Sequence, residues 1–257
     1  MLCVSCGAPN SPFQDNPLGA APGTHPVKMP PAVHMHVAGF AVDLDPTVEL
    51  WGKQAHVDVT GVVRTAVTHI EGLLHGTPAP VSVEAGTYHV IPAVGIGGYT
   101  DPYTGRVQIS MDQRAPLGLK VLLGTWLPLS LAHELHHAAR ILDGAGYGTT
   151  VEQAVVSEGA AEAFVREAYP SAPPIPWVQP LSSAEEIAVR TKLSQDASIP
   201  DTPDLHEDWF FGQNGLPRWA GYRIGYAMSE RYLSQHPAMT AADLVRVPAA
   251  DVVAAFS

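Results

Sequence analysis

Leu131-Ala132-His133-Glu134-Leu135-His136-His137-Ala138-Ala139 contains His-Glu-x-x-His inside an apolar stretch of good helix formers. At about 3.6 residues per turn, His133 and His137 fall on one helix face, one above the other, where two imidazoles can reach a single tetrahedral zinc ion. Glu134 flanks the same place without having to be a ligand. That position suits a general base that takes a proton from an attacking water. His136 points away from the 133/137 face, and the pattern gives it a structural or ligand-orienting role. Pro128 is expected in the first helical turn and Gly144 as a left-handed residue closing the helix.

Two histidines and a water leave a tetrahedral ion one protein ligand short. A histidine continuing the same motif is absent, since Arg140 and Asp143 occupy the positions where a glycine and a third histidine would extend it. A second helix offers the missing group. Thr149 and Thr150, followed three residues later by Glu152 and Gln153, form a capping-box start, and helical residues continue to Tyr169 before Pro170. Within it, Ser157-Glu158-Gly159-Ala160-Ala161-Glu162 puts Glu158 and Glu162 four apart on one face. The Gly-rich connection from Asp143 to Gly148 is short, so the two helices are expected to be antiparallel neighbours, with Gly159, Ala160 and Ala161 allowing close approach. Glu158 is then the third ligand, and Glu162 the carboxylate that orients one ligand histidine.

These residues resemble the gluzincin metallopeptidases, and more closely the DUF2268 family of predicted zinc-dependent proteases. The likeness rests on His133-Glu134-Leu135-His136-His137, Ser157-Glu158-Gly159-Ala160-Ala161-Glu162, Pro217-Arg218-Trp219-Ala220-Gly221-Tyr222-Arg223-Ile224-Gly225-Tyr226 and Val94-Gly95-Ile96-Gly97-Gly98-Tyr99-Thr100. It spans roughly residues 80 to 235 and implies a zinc peptidase with a two-histidine, one-glutamate site and one zinc per chain.

The elements that must position these groups read as an α+β chain. A small N-terminal antiparallel or mixed β-sheet with helix (32–113) precedes a mainly helical, zincin-like part (116–257), the two forming one catalytic domain over 32–257. Val33 to Val42 reads as a strand, Val48 to Leu74 as mostly helical, and Val81 to Glu84 as a second strand. Gly95 to Tyr99 and Arg106 to Met111 flank Asp101-Pro102-Tyr103-Thr104-Gly105, a turn signal that makes an antiparallel hairpin. A peptide substrate can pair with an exposed strand edge, and either hairpin strand could supply it; Gly97, Gly98 and Tyr99 are the candidate contacts. A Pro-rich connection, Pro170 to Pro180, leads to a helix with a capping box at Ser183 and Glu186. Residues 197 to 215 read as a loop bordering the cleft. On the helix beginning near Pro217, Gly221 and Gly225 form a packing track, and Tyr222 is the first candidate for stabilising an oxyanion, with Arg223 and Tyr226 behind it.

With 257 residues, 46% of them hydrophobic, the chain can bury a substantial core, and a net charge of −11 argues against binding a phosphate backbone. No apolar run approaches the length needed to span a bilayer, and the N-terminus has no basic region followed by an apolar one, so a cytoplasmic enzyme acting on peptides or proteins is expected. Cys3 and Cys6 are the only cysteines, so no disulfide framework is expected, and Cys-x-x-Cys without a second pair is a weak zinc signal. Residues 1–31 are rich in Pro, Gly, Ala and Asn and read as an extended or disordered lead-in. His34 and His36 share one face of a strand, where strand packing explains them. Two alternatives to a peptidase stay open: a zinc hydrolase of a non-peptide amide, and a noncatalytic metal-binding or regulatory protein with the same fold.

Overall fold

The computed structural model describes residue 29 and residues 31–256. The readings of the N-terminal lead-in and of Cys3 and Cys6 therefore lie outside the described residues.

Five strands form one mixed sheet in the order β1-β2-β3-β5-β4: β1 (Val33–Val37), β2 (Phe40–Leu44), β3 (Val81–Ala85), β4 (Ile96–Thr100) and β5 (Val107–Met111). β1 with β2 and β4 with β5 are antiparallel, while β2, β3 and β5 run parallel. The strand expected from Val33 to Val42 is instead a hairpin. Ala38 and Gly39 both have positive φ (50° and 89°), the conformation of a two-residue turn whose twist suits antiparallel strands. His34 and His36 lie on its exposed face, where His34 meets Asp43 across the hairpin at 2.6 Å.

The helical stretch between β2 and β3 is two helices, α1 (Pro46–Ala55) and α2 (Val59–Leu74). Two local devices break it: His56 adopts a left-handed conformation after α1, and Asp58 caps α2 by accepting from the Gly61 N–H. The β4–β5 hairpin is tied by Asp101, whose Oδ1 accepts from the backbone N–H groups of Tyr103 and Thr104. Because β4 is the outer strand, the sheet leaves it as the edge of that hairpin. Before it, residues 91–95 turn back so that the Ile91 N–H donates to the Ile96 carbonyl at 3.0 Å.

A short α3 (Leu119–Val121) and a π-helical turn (Leu122–Trp126) lead without a break into α4 (Leu127–Asp143). Pro128 has no N–H to continue the ladder, and the π turn, with Leu127 N–H donating to Leu122 O, lets the chain enter α4 around it. Gly144 is not left-handed, with φ at −133°; glycine is needed there because a Cβ would strike the Val245 carbonyl. Gly146, at φ 77°, makes the left-handed turn and donates to the Arg140 carbonyl.

α5 (Val151–Ala168) opens with the Thr150/Gln153 capping box and lies antiparallel to α4. Gly159 does not serve that contact. It faces Gly225 of α8 (Ala220–Gln235), so the small residues permit a close α5–α8 crossing instead. α6 (Ser183–Asp196) has its capping box at Ser182 and Glu185, one residue earlier than expected. The stretch 197–215 is not a plain loop: it holds α7 (Pro203–Glu207) and a π turn (Asp208–Gly212) that buries Trp209 and Phe210. α9 (Ala249–Phe256) packs on α8, and the segment before it receives the buried Arg140 guanidinium at the Leu244 carbonyl. No helix among the described residues is long and apolar enough to cross a membrane.

Candidate metal centre

α4 and α5 meet through His133, His137, Glu158 and Glu162, polar groups on helices whose buried residues are otherwise mostly apolar. Among the described residues, one group of three, His133, His137 and Glu158, brings a ligand atom from each within 4.8 Å of the others. His133 Nε2 lies 3.0 Å from His137 Nε2 and 3.0 Å from Glu158 Oε2, and His137 Nε2 lies 3.4 Å from Glu158 Oε1. Ligands at zinc bond lengths of about 2.0–2.1 Å in tetrahedral array stand about 3.3 Å apart, so these separations fit the ion. The donor set fits as well, two imidazole nitrogens and a carboxylate. Burial by itself would lower the affinity of His133 for a proton, but Glu158 and Glu162 outweigh it and hold its pKa well above the usual value. Burial would raise Glu158, yet the facing histidines hold its pKa well below the ordinary carboxylate range.

The outer nitrogen of His133 is held as well. Its Nδ1 lies 2.9 Å from Glu162 Oε1, and the Trp177 indole N–H donates to the same oxygen at 2.7 Å. Glu158 has a comparable partner: the Tyr147 hydroxyl donates to its Oε1 at 2.7 Å, while the Tyr147 ring sits edge-on to His137 at 5.3 Å. His137 Nδ1 is buried without a partner among the described residues. His136 is fully buried and stacks on Phe164 away from the triad; burial, followed by the charges of His137 and Arg140, pushes its pKa well below the usual value.

Glu134 is not part of the triad and lines the same cleft. The Thr100 hydroxyl donates to its Oε2 at 2.7 Å, tying the carboxylate to the end of β4. Gly98 makes this possible, since a Cβ there would lie 2.6 Å from Glu134 Oε1. Gly97 has a different reason to be glycine: its empty side faces the His89 carbonyl, and the His89 ring stacks on Tyr99 at 5.2 Å. Gly97, Gly98 and Tyr99 all line the cleft.

Over residues 102–254 the chain matches a family model described as "Predicted Zn-dependent protease (DUF2268)". The chain belongs to the DUF2268 family. The matched region carries all three triad residues together with Glu134 and Glu162. The chain is also 26% identical over 138 residues to "Uncharacterized protein YjfC" of Bacillus subtilis (strain 168), a match covering 49% of this chain and 46% of that protein. It therefore spans about half the length of the curated relative it matches.

Of the remaining expected residues of this DUF2268 chain, Tyr222 lines the cleft with its ring 6.4 Å from that of His133. Arg223 is not brought to the triad. Its guanidinium donates to the carbonyls of Gln179 at 2.7 Å and Pro180 at 2.6 Å, fastening the Pro-rich connection to α8. Tyr226 does not line the cleft; it hydrogen-bonds Arg166 and feels the charges of Glu230 and Glu162. Sequence reasoning missed Tyr147, Trp177, Thr100 and His206, which all line the cleft. Thr100 ends the glycine-rich segment that carries the family likeness, and Tyr147 is a lone aromatic between Gly146 and Gly148; Trp177 and His206 carried no comparable local signal.

Proposed function

We propose that this protein is a single-zinc peptidase that holds its ion with His133, His137 and Glu158 and hydrolyses peptide bonds using Glu134 as general base. The observation that carries the reading is the convergence of three ligating atoms at zinc-like spacing beside a carboxylate that is not a ligand and opens on the cleft. A zinc ion bound there supplies Lewis acidity, polarising the scissile carbonyl and acidifying the attacking water toward a pKa of about 7.

The chain's own groups do the rest. Glu134 accepts the proton of the attacking water and passes it to the leaving amine, and Thr100 keeps its carboxylate aimed. Glu162, itself held by Trp177, fixes the tautomer of His133 so that Nε2 faces the ion, and Tyr147 holds the Glu158 oxygen on its side. Tyr222 is the candidate donor to the developing oxyanion. An extended peptide pairs with β4: the Ile96 carbonyl points outward to Ile91, and by the two-residue repeat of a strand the Gly98 N–H and carbonyl face the same free side.

Stripping the protein with a chelator, restoring one equivalent of zinc and mapping new N-termini in a peptide library tests this. Cleavage that disappears and returns with zinc supports the proposal. A zinc-loaded protein that cleaves nothing points to a noncatalytic member of the family.

A further inference from the structure

Five of the eleven residues from Pro170 to Pro180 are proline, so this connection has few backbone N–H groups to build a ladder with, and its one regular piece is a 3₁₀ turn, Pro176–Val178. Two arginines grip it by its carbonyls instead. Near its start Arg166 of α5 donates to Ala172 at 3.3 Å, and at its end Arg223 of α8 donates through Nε to Gln179 at 2.7 Å and through Nη2 to Pro180 at 2.6 Å. Glu185 stands 3.9 Å from the Arg223 guanidinium, beyond hydrogen-bonding range, so the connection takes its fork.

Between the two grips lies Trp177, buried against Trp126 and Trp219 with ring centroids 5.7 Å and 6.0 Å away. Its indole N–H reaches Glu162 Oε1, the oxygen that also faces His133 Nδ1, while Glu162 Oε2 is buried with no hydrogen-bond partner among the described residues. The carboxylate is thus held through one oxygen, and a carboxylate so held can turn about its terminal bond when a donor leaves. A line of contacts therefore runs from Arg223 through the backbone of residues 177–180 to the Trp177 ring, Glu162 and His133.

We propose that Arg223 is a positioning residue for the metal centre: by clamping the Pro-rich connection it keeps Trp177 on Glu162, so that zinc binding at His133 and docking of Trp177 favour one another. The proposal rests on the triad being a zinc site and needs no hydrolysis. With zinc on Nε2, the Nδ1–H of His133 becomes a stronger donor to Glu162, and Trp177 steadies the oxygen that receives it. The effect is mutual: whatever factor the docked connection adds to zinc affinity, zinc adds to docking. Trp177 stands one bond further from the ion than a partner whose loss costs about 10- to 100-fold, so the factor expected here is about 3- to 10-fold.

Zinc dissociation constants from chelator competition are compared for wild type, Arg223→Gln, Trp177→Phe and the double variant. Hydrogen exchange of the Trp177 indole N–H is followed with and without zinc, against that of Trp209, whose indole N–H is bonded to Asp196 at 3.1 Å. Trp177→Phe keeps an aromatic ring and removes the donor. Each single variant should weaken zinc binding about 3- to 10-fold, and the double variant no more than Trp177→Phe alone, because Arg223 acts through that side chain. Arg223→Lys, which keeps the charge without the fork, should fall between wild type and Arg223→Gln. In the wild type, zinc should slow Trp177 exchange relative to Trp209 by the same factor. A clamp that serves only the fold would lower melting temperatures with zinc affinity unchanged, or give losses that add in the double variant; either result overturns the proposal. If Arg223→Gln does not fold, the wild-type exchange decides, and a Trp177 indole indifferent to zinc overturns the coupling. A wild type that binds no zinc overturns the metal site and this coupling with it, whereas equal zinc binding by all four proteins overturns the coupling alone.

Discussion

Gly98→Ala adds one carbon in the edge strand, and the site geometry dictates what it must do. The new Cβ would run first into Glu134 Cγ and stand 2.6 Å from its Oε1 and 2.7 Å from Cδ, whereas ordinary contact needs about 3.5 Å, so the side chain from Cγ onward must retreat by about 1 Å. The clash is with a side chain and not with backbone, so Glu134 can turn away about its Cα–Cβ bond and the fold should lose less than where a new Cβ meets backbone. Catalysis has no such latitude. A displacement of about 1 Å in a reacting group costs on the order of 10²-fold, about 2.7 kcal/mol of transition-state stabilisation. Glu134 is not a ligand, so zinc content should stay at one per chain. The assay is kcat on a cleaved peptide, with metal analysis and thermal unfolding on the same samples. Gly97→Ala is the contrast: its Cβ meets the His89 backbone, which cannot yield like a side-chain end, and it should lower the melting temperature. Wild-type turnover by Gly98→Ala would show that Glu134 does not work from the place where Thr100 and Gly98 hold it.

Glu158→Ala should reduce zinc affinity far more than Glu162→Ala, for which about 10- to 100-fold is expected; the reverse order in a zinc titration would exchange their roles. Tyr147→Phe should weaken zinc binding by loosening Glu158, whereas Tyr222→Phe should leave zinc content unchanged and lower kcat about 10²-fold. An unchanged kcat for Tyr222→Phe would remove it from catalysis. The hydroxyl and N–H of Thr77 hold Asp143 below its ordinary pKa of 3.8, so its contribution to stability is present above that value and is lost as pH falls through the lowered folded value. Asp143→Asn should accordingly flatten the fall in urea midpoint below about pH 4, and an unaltered pH profile would exclude this contact as its source.

What the sequence made readable follows from which signals are local. His133, Glu134 and His137 on one helix, and Glu158 and Glu162 on the next, lie at helical spacing, and a short connection leaves few ways to set the two helices together. Thr150 and Gln153, and the Asp101-to-Gly105 turn, act over three or four residues and read directly. The β1–β2 hairpin was hidden because Ala38 is a poor turn signal and Val33 to Val42 keeps a strand-like composition through it. Gly159 was read against the wrong neighbour, since a glycine announces a close approach without naming the helix that makes it. Trp177, 15 residues from Glu162 across a Pro-rich connection, and Thr100, 34 residues from Glu134, contribute through tertiary contacts that leave no periodic trace. Arg223 had the right chemistry for an oxyanion, but the rotation of α8 turns it onto the Gln179 and Pro180 carbonyls.

The most direct measurement compares zinc-loaded wild type with zinc-loaded Glu134→Gln on one peptide library, counting new N-termini per bound zinc. A glutamine cannot accept the water's proton at neutral pH, so zinc should remain near one per chain while cleavage falls by about 10²–10⁴-fold. Equal cleavage by the two proteins, at equal zinc, would contradict the assignment of Glu134 as the base of a zinc peptidase.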